Sequence, residues 1–120
     1  IRLEQIGLLK SIADNITFLN LSNCGLTDTM LAELPELKNL TKIDLHSNPI
    51  SDNAIQHLQK YRHLEVANLY DTEISNNGLK LLLEIDSLRR LYLWKTKVTR
   101  EAVDESGNNS MVLIDLGSAI

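Results

Sequence analysis

The chain is 120 residues long, 43% apolar and 23% charged, with a formal net charge of −4 at pH 7. That length supports one domain, the acidic balance argues against a general nucleic-acid binder, and no apolar run approaches the ~18 residues of a membrane-spanning helix. A single cysteine, Cys24, excludes an internal disulfide and a cysteine-cluster metal site.

The first residues, Ile1-Arg2-Leu3-Glu4, have neither the basic start nor the apolar core of a signal peptide. Leu3, Ile6, Leu9 and Ala13 fall on one side of a helix, so residues 1–15 are expected to be the helix of a truncated preceding repeat. With no initial Met and an end inside a repeat, the chain is expected to be a single domain, 1–120, cut from a larger protein.

From Ile16 the sequence repeats. Ile16, Leu40, Leu64 and Leu88 open segments spaced 24 residues apart, and Met111 opens a fifth after 23. Apolar residues stand at the first, fourth and sixth positions of each: Ile16/Leu19/Leu21, Leu40/Ile43/Leu45, Leu64/Ala67/Leu69, Leu88/Leu91/Leu93 and Met111/Ile114/Leu116. A fixed period of this size marks a solenoid, in which each unit buries its apolar side only against its neighbours.

Each unit opens with a strand, read from period-two spacing at Thr17–Leu21, Lys42–Leu45, Val66–Leu69, Arg90–Leu93 and Val112–Leu116. The ninth position is Cys24, Asn48, Thr72 or Thr96, side chains able to bond backbone groups that a turn leaves unpaired. Thr27, Ser51, Ser75 and Thr99 then stand where helix N-caps belong, with acids following at Asp28, Asp52 and Glu101. Apolar stripes run Met30/Leu31/Leu34/Leu37, Ala54/Ile55/Leu58/Tyr61 and Leu79/Leu82/Leu83/Ile85; Pro35 is expected to shorten or distort the first helix. After Glu101 the stripe fades to Asp-Glu-Ser-Gly-Asn-Asn, which predicts a short or frayed terminal helix.

The pattern L-x-x-L-x-L-x-x-N/C/T-x-L/I over residues 16–120 resembles the leucine-rich repeat, in the classes that carry true helices, the ribonuclease inhibitor-like and cysteine-containing repeats. The resemblance implies an α/β solenoid with a curved parallel sheet on the concave side and short helices on the convex side. It also implies an interaction module or scaffold rather than an enzyme. Residues 91–99, Leu-Tyr-Leu-Trp-Lys-Thr-Lys-Val-Thr, resemble repeats of bacterial envelope proteins that carry a c-type cytochrome domain elsewhere. That likeness gives a lean toward the bacterial envelope or periplasm. No haem-attachment motif is present, so no cofactor is expected.

The third, fifth, seventh and eighth positions of each unit should face outward from the sheet. The seventh runs Ser22, His46, Tyr70, Trp94, a column of rings on adjacent strands. Of the five Phe, Tyr and Trp residues in the chain, Phe18, Tyr70, Tyr92 and Trp94 fall on this face. Rings and arginines exposed together are the usual anchors of protein interfaces. The expected partner-binding set is His46, Tyr70, Asp71, Arg90, Tyr92, Trp94 and Lys95, and the expected occupant is a protein or a flanking domain of the parent chain. The residues leave open that the rings merely support neighbouring strands, or that the segment is a structural spacer or cap.

His46, His57 and His63 lie on different elements and are not read as metal ligands. Asp44, His46 and Ser47 tempt a hydrolase reading, but a smooth repeat face should supply neither pocket nor oxyanion hole. Cys24 is expected to be a structural thiol. Asn15, Asn20 and Asn108 begin N-glycosylation tripeptides; a glycan on Asn20 would block the sheet face.

Overall fold

The computed structural model describes residues 13–106 and 111–117. The predicted helix over 1–15 therefore lies outside the described residues except for its last turn, a short 3-10 segment at 13–15. From there the elements alternate: β1 (Phe18–Asn20), α1 (Asp28–Ala32), β2 (Lys42–Asp44), α2 (Asp52–Leu58), β3 (Val66–Asn68), α3 (Asn76–Leu82), β4 (Arg90–Tyr92), α4 (Arg100–Glu105) and β5 (Leu113–Asp115). The strands form one parallel sheet in the order β1-β2-β3-β4-β5.

Register follows the repeat. Leu19, Ile43, Ala67, Leu91 and Ile114 are paired in sequence across the sheet, so equivalent positions stack into columns. The fourth, sixth and first positions fill the core: Ile43, Ala67 and Leu91, Leu45 and Leu69, and Leu40, Leu64 and Leu88 are wholly buried. The stack loosens at its last coil, where Ile114 and Leu116 are only half-buried.

The strands are three residues long, shorter than the sequence predicts, because the backbone turns at the eighth position. Asn23, Ser47, Asp71 and Lys95 all have φ between 47° and 59°, the left-handed region. This corrects the expectation that the eighth residue continues the strand face. The inter-coil ladder nevertheless survives the turn: the amides of Asn23, Ser47 and Asp71 donate to the carbonyls of His46, Tyr70 and Trp94 at 2.8, 2.9 and 2.9 Å. Those bonds hold successive seventh residues in line.

Helix α1 stops at Ala32, two residues shorter than α2 and α3, as Pro35 predicts. The next coil satisfies the carbonyls left bare: Lys60 Nζ donates to Leu34 O at 2.6 Å and Tyr61 Oη to Pro35 O at 3.1 Å. Thr27, Ser51 and Thr99 cap their helices, accepting from the amides of Met30, Asn53 and Ala102. Ser75 does not; its hydroxyl donates to Asp52 of the preceding coil instead. The same tie joins Ser51 to Asp28, with N and Oγ donating at 2.8 and 2.5 Å, and Thr99 to Asn76. The first-turn acids are thus more than dipole partners, since they anchor the N-cap of the following coil. At the equivalent position of the last helix stands Arg100, which offers no acceptor. That helix buries none of its residues, in keeping with a fading terminal unit.

Candidate functional site

The outward side chains are arranged by the same register. The fifth position makes a local turn bond in four of the five coils. Asn20, Asp44, Asn68 and Asp115 each accept, through Oδ1, from the amide two residues on, at 3.0, 3.2, 3.1 and 2.8 Å. This fixes the direction in which the seventh side chain leaves the sheet. Tyr92 takes the fifth position in β4, and its hydroxyl accepts from Arg90 at 3.2 Å.

The seventh column is a stack of rings. His46 and Tyr70 have centroids 5.9 Å apart, and Tyr70 and Trp94 5.0 Å, tilted by 38°. Such tilted pairs are favourable for rings with opposed face and edge charge. Lys95 Nζ lies 6.0 Å from the Tyr70 centroid, within cation–π range. Trp94 remains 53% exposed. Beyond it, the column ends at Gly117, φ +86°, whose backbone lies against the indole. A β-carbon there would come within 2.6 Å of Trp94 Nε1 and closer still to its neighbouring carbons.

A ring stack that ends in a glycine leaves a hollow. His46, Tyr70, Tyr92 and Trp94 line an open concavity of 640 Å³, floored by Asn68, Asp115 and Gly117. The sheet face is therefore not smooth, contrary to the sequence expectation. Of the seven residues predicted for a partner, four line this hollow. Arg90 is bonded to Tyr92, whereas Asp71 and Lys95 sit on the left-handed turns; none of the three lines the hollow. The lining residues Asn68, Asp115 and Gly117 are absent from the predicted set. Their signal was present in the column register, at the fifth and seventh positions of coils three and five.

The Asp44–His46–Ser47 group does come together, but as a turn. Asp44 Oδ1 is 3.9 Å from His46 Nε2, and His46 Nδ1 is 3.1 Å from Ser47 Oγ. Ser47 Oγ in turn donates to Asp71 Oδ2 at 3.1 Å. The serine hydroxyl thus donates to a carboxylate rather than to the imidazole, which is not the arrangement of an activated nucleophile. Ser47 also stands outside the hollow. Among the described residues no group of His, Cys, Asp and Glu is placed to hold a metal ion, and no helix is long and apolar enough to cross a membrane. His57 lies half-buried in the last turn of α2, and His63 is exposed on the loop beyond. The Cys24 thiol donates to Leu21 O at 2.9 Å within its own turn.

Five parallel strands in repeat register, the first four each followed by a helix on the other side of an apolar core, define a leucine-rich-repeat-type solenoid fold. Residues 15–37 match the Leucine Rich Repeat family model. Among solved structures the chain resembles the tropomodulin C-terminal domain of Caenorhabditis elegans, with a TM-score of 0.73 at 17% identity, covering 100% of this chain and 85% of that one. It also resembles Leiomodin-1 Actin-Binding Site 2, with a TM-score of 0.70 at 15% identity, covering 98% and 79%. No curated protein sequence matches the chain. These neighbours share the fold, and they lend no support to the likeness of residues 91–99 to bacterial cytochrome-bearing proteins.

Proposed function

We propose that the chain is a non-catalytic protein-interaction module that takes a partner on the concave sheet face. The observation that carries this reading is the ring column. Four of the five aromatic residues gather on one exposed face, three of them around a single hollow, while the fifth, Tyr61, is buried. Exposed Trp and Tyr in a pocket are costly to leave in water and are frequent interface anchors. The Leiomodin-1 neighbour is described as an actin-binding site, which makes actin one defined protein to try.

The test is capture of a partner by wild-type protein and by the Tyr70→Ala/Trp94→Ala variant, with circular dichroism to check that both fold. Loss of the partner with the fold intact supports this face; a partner retained by the variant rejects it. A second reading, a structural spacer or cap within a larger protein, is favoured by one observation: Met111 and Leu113 on the last coil are about 60% exposed (62% and 59%). Limited proteolysis of the longer protein separates the two. Rapid cleavage on both sides of this segment rejects a docked spacer.

A further inference from the structure

We propose that the hollow beside Trp94 receives a basic side chain of the partner polypeptide, arginine in preference to lysine. This rests on the concave-face reading and names the chemistry of its occupant. Asp115 is the one residue lining the hollow with a fixed charge, and that charge is negative. Its carboxylate is aimed by the bond from Gly117 N to Oδ1, and Gly117 itself lies against the indole. Asp115 and Trp94 thus line the same hollow with Gly117 as their common neighbour. Among the described residues no lysine, arginine or histidine pairs with Asp115.

The rest of the lining is largely aromatic, with Tyr70, Tyr92 and Trp94 beside His46, Asn68 and Gly117, and aromatic rings attract cations through their quadrupoles. The nearby cations do not fill the hollow. Arg90 is bonded to the Tyr92 hydroxyl, and Lys95 lies toward Tyr70 from the turn. A guanidinium satisfies both features at once: its plane stacks on the indole or phenol, and its N–H fork meets the carboxylate. An ammonium satisfies only the charge. An acidic side chain would meet Asp115 and the negative ring faces, and is disfavoured.

The chain's only tryptophan is Trp94, so its fluorescence reports the site directly. The probes are three blocked pentapeptides with glycine flanks and a central arginine, citrulline or glutamate, titrated into the millimolar range. The arginine peptide should shift Trp94 emission saturably, and the neutral citrulline isostere far more weakly. Asp115→Asn should weaken the arginine peptide about tenfold, the loss expected for one charge-assisted bond. The variant keeps the local turn, because Asn20 and Asn68 make the same Oδ1 bond at this position in coils one and three. An unchanged arginine affinity in Asp115→Asn overturns the proposal. So does an equal response to citrulline or glutamate, which leaves the face a binding surface for something else. No response to any peptide also overturns the basic occupant, while the concave-face reading is then decided by the capture experiment.

Discussion

Asn48 is expected to be the most costly polar residue in the chain to remove. It is 4% exposed and stitches the first coil to the second. Its Oδ1 accepts from Cys24 N at 3.1 Å and Leu26 N at 2.9 Å, both in the preceding coil. Its Nδ2 donates to Leu21 O at 2.8 Å, Leu45 O at 3.0 Å and His46 O at 3.3 Å. Asn48→Ala strands two amides and weakens the satisfaction of those carbonyls. A buried polar group left without its partner costs about 1–3 kcal/mol. The Leu26 amide is fully enclosed and the Cys24 amide partly so, which places the total at about 3–4 kcal/mol. Thr72, at the same position one coil on, only donates to Leu69 O at 2.7 Å, and Thr72→Val should cost about 1 kcal/mol. Urea unfolding followed by Trp94 fluorescence and circular dichroism measures both, with the slope m held constant as a check on two-state behaviour. Against a typical total of about 5–15 kcal/mol, the Asn48 loss is large. An Asn48→Ala cost no greater than that of Thr72→Val would refute the inter-coil role.

Gly78→Ala should destabilise by about 1–3 kcal/mol, because the added carbon meets Ile74 Cγ2 at 2.8 Å and presses on the Asp52 carboxylate that holds Ser75; thermal unfolding reads it, and a neutral result would refute the cost of that crowding. Gly117→Ala should displace the indole and change Trp94 emission while the far-ultraviolet dichroism is kept; an unaltered spectrum would mean that the indole does not rest on Gly117. Burial raises the Tyr61 phenol above its ordinary value of 10.0, so only the unfolded chain ionises just above that pH. Stability should then fall as pH rises, by at most about 1.4 kcal/mol per unit, and Tyr61→Phe should flatten this alkaline slope. Lys60, 5.3 Å from the Tyr61 ring and titrating low chiefly through burial, contributes with the opposite sign and is shared by both proteins; an equal slope in the two would refute the assignment to Tyr61.

The core was legible because the period sets the register: once residues 24 apart align, the first, fourth and sixth positions can only stack on their equivalents. The left-handed eighth position was not. Asn23 and Asp71 tolerate that backbone conformation, but Ser47 and Lys95 give no such signal, so nothing local marks the turn. Ser75 shows a related limit. Its type and position fit a cap, yet its hydroxyl only donates to a carboxylate one coil away, whereas Ser51 makes that bond and accepts from its helix amide as well. Similarly, four ninth-position residues look alike in sequence, and only the coordinates show Asn48 reaching back a coil while Thr72 and Thr96 bond a carbonyl of their own turn. The hollow escaped notice because, although the 23-residue spacing already puts Gly117 in the column of Trp94, the space left by its missing side chain shows only when the coils are stacked.

The variation within the seventh column bears on whether the rings serve the fold. Ser22 and Gly117 occupy it at the two ends of the sheet, and both coils keep the same parallel pairing as their neighbours. The bonds that align the column are main-chain bonds, from Asn23, Ser47 and Asp71 amides to the carbonyls opposite, and any side chain permits them. The core lies on the other side of the sheet and is closed without help from His46, Tyr70 or Trp94, which remain half-buried or exposed. Stacking contributes roughly 0.5–1.5 kcal/mol per ring pair, a modest return for leaving a half-exposed indole in water. The fold's indifference to this column makes it free to carry recognition, and that supports reading the rings as anchors for a partner rather than as supports for the strands.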